Sequence, residues 1–207
     1  MKTTMKSLKS IFVASLAIAL FVSSAVSAED GKKATTLKVN AAKSELTWLG
    51  KKVTGEHTGK ISLKEGTMVL DGAKLTGGKL VADLSSITCT DLTDKSYNDK
   101  LIGHLKSEDF FSTEKFPTAT FVITKATVKS PGLYDVTGDL TIKGITKPIT
   151  LPVTVTATST GAEATGKLVV DRSKYDIKYN LKSFFEGLGD KMIHDDFTID
   201  FKLVAAK

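Results

Sequence analysis

Three stretches of the chain alternate so regularly that they dictate its backbone. In YDVTGDLTIKG, Tyr134, Val136, Gly138, Leu140 and Ile142 share one side, while Asp135, Thr137, Asp139, Thr141 and Lys143 take the other. KPITLPVTVTA repeats the pattern with Ile149, Leu151, Val153 and Val155 set mostly against threonines, and FTIDFKLVA repeats it with Phe197, Ile199, Phe201 and Leu203. A period of two sends successive side chains to opposite faces, so each stretch is a strand with one dry and one wet face, as in antiparallel sheets. SELTWLG and GGKLVADLSSI read the same way, the latter with Leu80, Ala82 and Leu84 aligned. GKISLKEGTMVLDG reads as a strand, a turn near Gly66 and a second strand, and KSPGLY and IKGITKP supply further turns. About eight such strands must bury one apolar face each, either as two packed sheets or as one sheet closed into a barrel. Alternation alone does not choose between them, but a barrel of this size can enclose an elongated ligand.

Residues 91–116, DLTDKSYNDKLIGHLKSEDFFSTEKF, break the pattern. Asp94 or Ser96 can cap a helix whose Tyr97, Leu101, Ile102 and Leu105 line one side, and SEDFF resembles a second, shorter helical turn capped by Ser107. The expectation is a short helical insert near residues 94–111 lying on an apolar surface such as a barrel mouth or sheet edge.

The N-terminus carries Lys2, Lys6 and Lys9 before the apolar run IFVASLAIALFV and the small residues SSAVSA. This reads as an export signal, residues 1–28, cut before Glu29; no cysteine follows the cut to take a lipid anchor. Residues 29–36 read as a flexible leader and 37–207 as a single domain. Removing the signal leaves 26 basic against 23 acidic residues, so the net charge of +6 falls to +3. Lysines and acids are interspersed and Arg172 is the only arginine, which argues against a nucleic-acid partner. Cys89 is the only cysteine, so the domain has no internal disulfide and its stability must come from packing.

No enzymatic constellation is visible. His57, His104 and His194 are isolated, no H-x-x-x-H spacing suggests a metal, and neither G-x-S-x-G nor a glycine-rich phosphate loop occurs. A general base needs an oriented partner within reach, and nothing local supplies one, so the reading is no catalytic residue, no metal and no required cofactor. His104 reads either as a buried imidazole tying the insert to backbone carbonyls or as a polar contact to a ligand's head. The aromatics fall in two groups: Phe110, Phe111, Phe116 and Phe121, then Tyr175, Tyr179, Phe184 and Phe185. They are either core filling or the rim of an apolar cavity.

Several motifs together carry a resemblance. TWLGKKVTGEHTGKI at 47–61, GHLKSEDFF at 103–111, FPTATFVITKA at 116–126, YDVTGDLTIKGITKPITLPVTV at 134–155 and DRSKYDIKYN at 171–180 resemble the YceI-like family of exported lipid- and polyisoprenoid-binding proteins over about residues 37–204. The resemblance implies an all-β, lipocalin-like extended antiparallel β-barrel and a non-enzymatic periplasmic role: binding, storage or transport of an isoprenoid lipid, quinone-like or polyprenyl, in an apolar interior. Trp48, His57, His104, Phe110, Phe111, Phe116, Phe121, Tyr175, Tyr179, Phe184 and Phe185 are the expected ligand contacts, with His57, Tyr175 and Lys106 the candidates for the head group. Transient membrane contact and a homodimer stay open. Two positions depart from the family pattern: Asp176 stands where a glycine is usual, and Ser112 where an acid is common after the phenylalanine pair. The rival reading is a periplasmic structural or protein-interaction module with a filled core; what separates the two is whether a tunnel remains once the inward side chains are packed.

Overall fold

The computed structural model describes residues 34–181, 183, 187 and 189–207; the proposed signal segment, Phe184 and Phe185 lie outside them. Among the described residues nine strands, β1 (Thr35–Val39), β2 (Glu45–Lys52), β3 (Gly55–Asp71), β4 (Lys74–Asp83), β5 (Thr118–Ser130), β6 (Leu133–Ile142), β7 (Ile145–Ala157), β8 (Gly161–Asp171) and β9 (Ile193–Ala206), form one antiparallel sheet. It closes because β3 pairs with β4 as well as with β2. Around the barrel there are eight positions, since β1 and β2 share one slot. Both pair with β3 and β9, β2 near one end of the barrel and β1 near the other, with a 3-10 turn at Ala41–Lys43 between them. The expected antiparallel barrel of about eight strands is what forms, and β1 starts at Thr35, inside the stretch read as a leader.

In β6 the alternation maps onto the wall without slippage. Tyr134, Val136, Gly138, Leu140 and Ile142 are all buried, and the residues between them are half-exposed. The β6–β7 hairpin turns on two residues, Lys143 (φ 50°) and Gly144 (φ 74°), the paired positive φ values that match the twist of antiparallel strands.

One expected turn is corrected. The chain does not turn near Gly66; β3 continues through it for 17 residues, with a register shift between Leu63 and Glu65, and the turn comes at Gly72 (φ 60°). Gly66 serves close packing instead. A Cβ there would lie 2.8 Å from Leu80 Cδ2 and 3.1 Å from Val39 Cβ, so only a bare backbone lets β1 and β4 side chains meet over β3.

Helix α1 (Lys95–Lys106) interrupts the sheet between β4 and β5. Asp94 caps it, Oδ1 accepting from the N–H groups of Ser96 (2.8 Å) and Tyr97 (3.2 Å). It ends five residues short of the expected boundary. Ser107 is its C-cap, donating its N–H to the Gly103 and His104 carbonyls, and SEDFF forms hydrogen-bonded turns instead of a second helix. Leu101, Ile102 and Leu105 pack on the barrel, but Tyr97 points outward at 62% exposure with Lys100 Nζ 5.6 Å from its ring centre. The interior packs as two apolar clusters. One, at the end holding β1, includes Leu37, Met68, Leu70, Tyr134, Val153 and Ala205. The other, under α1, includes Trp48, Ile61, Phe110, Phe111, Leu140 and Tyr175.

Candidate functional site

Among the described residues, two adjoining cavities lie in the barrel. The inner chamber, about 140 Å³, is walled by inward residues of every strand from β2 to β9, among them Leu63, Met68, Phe121, Leu140, Leu151, Leu168, Phe201 and Leu203; Thr67 and Thr120 are its only polar lining residues. The outer chamber, about 260 Å³, lies between the barrel wall, α1 and the segment after β8, and mixes Trp48, Ile87, Leu101, Phe110 and Ile177 with Lys51, Lys52, His57, His104, Arg172, His194 and Asp196. Ile61, Phe111, Phe197 and Ile199 line both. At this junction the rings of Phe111 and Phe197 meet edge to face, centroids 5.9 Å apart. The arrangement is two adjoining chambers, the inner one almost wholly apolar, the outer one mostly apolar with charged side chains in its lining, and an aromatic waist between them.

The expected contact residues divide among these surroundings. Phe121 lines the inner chamber, Phe111 the waist, and Trp48, His57, His104 and Phe110 the outer chamber. Trp48 is anchored there by its Nε1–H, which donates to the Thr88 carbonyl at 2.8 Å. Tyr179 closes over His104, ring centroids 4.5 Å apart, and His104 meets Phe110 edge-on at 4.9 Å. Phe116 packs against the β6–β7 turn, 3.1 Å from where a Gly144 Cβ would stand, and Tyr175 is 2% exposed in the core; neither these two nor Tyr179 is among the residues lining the two cavities. Of the head-group candidates, His57 alone lines the outer chamber, and Lys106 lines neither cavity.

His104 does not tie the insert to carbonyls. Its Nε2 donates to the Asp109 carboxylate at 3.0 Å. The group that gathers carbonyls is Arg172, which the sequence marks only by being the sole arginine among so many lysines. Its Nε donates to His194 O (2.9 Å), Nη1 to Ile177 O (3.1 Å) and Tyr179 O (2.9 Å), and Nη2 to Ile193 O (3.2 Å). Burial pushes its pKa down to about 10 against the pull of the Asp195 and Asp171 charges, so it stays cationic at neutral pH. Its guanidinium carbon lies 5.9 Å from the Phe110 ring centre. Arg172 thus fixes the loop that roofs the outer chamber. Asp176, where the resemblance implies a glycine, takes φ 56° and ψ 35° in that loop, the left-handed conformation glycine adopts most easily. Ser112 is likewise left-handed (φ 48°) and buried.

A family model described as YceI-like domain matches residues 37–205. A UPF0312 protein of Vibrio parahaemolyticus is 32% identical over 146 residues, 68% of this chain and 70% of that one. A UPF0312 protein of Shewanella denitrificans is 35% identical over 91 residues, 44% of this chain and 45% of that one; the chain spans under half the length of this and several other curated relatives it matches. Among solved structures, Burkholderia cenocepacia BcnA is similar at TM-score 0.64 and 29% identity, covering 81% of this chain and 99% of BcnA. A polyisoprenoid binding domain from Saccharophagus degradans shares the fold at TM-score 0.62 and 19% identity, covering 82% and 97% of the two chains. With an eight-position barrel, the TWLGKKVTGEHTGKI and GHLKSEDFF segments at its mouth, and a domain match over nearly all of the described strands, the chain belongs to the YceI-like family.

Proposed function

We propose that this protein binds an isoprenoid lipid, quinone-like or polyprenyl, in the barrel without chemical change, and stores or carries it in the periplasm. The observation that carries the reading is the free volume inside the barrel: every strand from β2 to β9 presents apolar side chains to the inner chamber, and the outer chamber adjoins it at four shared lining residues, whereas a filled-core module would leave neither. The mixed outer chamber gives a polar head group somewhere to stay hydrated while the tail passes inward.

Magnitudes limit the cargo. Each buried CH₂ is worth about 0.8 kcal/mol, so ten carbons gain about 8 kcal/mol. Association costs about 4–15 kcal/mol before any net affinity appears. A tail of two isoprene units therefore binds weakly, and firm retention needs a longer one. The inner chamber, at about 140 Å³, is near the ~150 Å³ at which a dry apolar cavity admits one benzene. A long tail must therefore occupy both chambers and displace the rings at the waist.

The test is native mass spectrometry of protein purified after export, followed by solvent extraction of whatever is released. The expected result is a stoichiometric added mass that extracts as a polyisoprenoid. A bare polypeptide that stays bare after incubation with quinones and polyprenyl lipids overturns the proposal and favours the protein-interaction reading.

A further inference from the structure

The segment joining β4 to α1 does more than connect them. Residues 87–91 run back along β3, with Thr88 N–H on the Lys60 carbonyl and Thr90 N–H on the Thr58 carbonyl, both at 2.9 Å. The approach is so close that a Cβ on Gly59 would sit 1.8 Å from the Thr88 carbonyl oxygen. Trp48 holds the same carbonyl from below, and Asn98 of α1 holds the carbonyls of Cys89 and Leu92 at 3.1 and 2.9 Å. This fixed strip places three side chains of different chemistry together. His57 Nδ1 lies 2.8 Å from Asp91 Oδ2, Cys89 Sγ lies 3.2 Å from Asp91 Oδ1, and the three donor atoms lie within 4.8 Å of one another. Asp91 Oδ1 also accepts the Thr58 N–H at 2.8 Å.

We propose that His57, Cys89 and Asp91 form a binding site for a divalent zinc-like ion on the outer wall of the mouth, with a fourth coordination position open to solvent. Imidazole nitrogen, thiolate sulfur and carboxylate oxygen are the donors zinc accepts, and three protein ligands with one open position is a recurrent zinc arrangement. The present hydrogen bonds mark the metal-free form. Binding displaces the thiol proton of Cys89 and the Nδ1 proton of His57, which moves to the Nε2–H tautomer, so no oxidant or reductant is needed. Asp91 stands between the other two donors, one carboxylate oxygen facing each. His57 also lines the outer chamber, so the ion would sit beside the lipid's path, although the site stands on its own geometry and not on the lipid reading.

The test is zinc titration of the chelator-treated protein, kept reduced with a phosphine, read by competition with a chromogenic chelator and by cobalt(II) substitution. One ion per chain is expected, with cobalt giving a thiolate charge-transfer band. Loss of an outer-shell partner already costs about 10–100-fold in metal affinity, so Cys89→Ser and His57→Gln should each weaken zinc by more than about 100-fold, and Cys89→Ser should abolish the band. His57→Gln keeps the test open should Cys89→Ser fail to fold. Absence of stoichiometric zinc binding, cobalt binding without the thiolate band, or unchanged zinc affinity in a folded His57→Gln protein overturns the site.

Discussion

At the scale of single residues, Arg172 shows how much one side chain can hold. It is 3% exposed and its three nitrogens serve four carbonyls from two separate segments, 177–179 and 193–194. Removing it leaves several buried acceptors unpaired at about 1–3 kcal/mol each, of which water recovers a part. Arg172→Met should therefore cost about 3 kcal/mol, and Arg172→Lys should recover little because an ammonium has no planar fork. Urea unfolding followed by the fluorescence of Trp48 measures both; a Lys variant with wild-type stability would show that the charge, and not the fork, is what matters. The role was only half legible. A lone arginine in a lysine-rich chain is a signal that something needs guanidinium geometry, but the carbonyls it serves come together only through β9. The same limit hid the His57–Cys89–Asp91 cluster. Its ligands are a Cys-x-Asp pair and a histidine more than thirty residues earlier, joined by strand pairing and not by local spacing.

At the scale of elements, the period of two shows which face of each strand is dry but not where the strand stops. That is why Tyr134 to Ile142 fell on the buried face as read, whereas β3 was cut in two at Gly66. A glycine in an alternating run is ambiguous, since a turn and a close approach leave the same letter, and only the neighbouring strands decide. For helix α1 the sequence offers Asp94 or Ser96 as the cap, and the fold uses Asp94; Ser107, which reads as the cap of a second helical turn, closes α1 instead, since serine can cap either terminus. Gly138 makes the close-approach case testable. Its Cβ would lie 2.4 Å from Phe121 Cζ and 2.6 Å from the Val122 carbonyl oxygen. Gly138→Ala must then push the Phe121 ring into the inner chamber and strain β5, at a cost of about 1–3 kcal/mol for overpacking. For a domain of this size that lowers Tm by about 2–12 °C, and the amount of lipid retained should fall with it. Thermal unfolding and extraction of the same preparation check the two together; a lower Tm with undiminished cargo would mean that the ring yields elsewhere.

At the scale of the whole molecule, closure is what converts a set of amphipathic strands into a container. The sequence identifies the inward set, and with it the apolar character of the wall. It does not give the radius at which the sheet closes, nor the meeting of residues 111 and 197 across the barrel, and these set the free volume. The Phe111–Phe197 contact divides that volume into chambers of about 140 and 260 Å³, and the division has a consequence for cargo length. If a tail must pass the waist, widening and narrowing it should move the retained lipid in opposite directions. Phe197→Ala opens the passage. Phe197 is only partly buried, so the loss should be about 2 kcal/mol, below the ~3–5 typical of a fully buried phenylalanine, and the extracted lipids should shift to longer chains with faster exchange. Phe197→Trp places a larger ring at the same point and should restrict binding to the outer chamber, shifting the profile to shorter chains. Mass analysis of lipids extracted from both variants decides the matter. An unchanged profile in the pair would show that the waist yields freely, leaving cargo length to be set by the closed end of the barrel, where the inner chamber meets Met68, Val153 and Leu203.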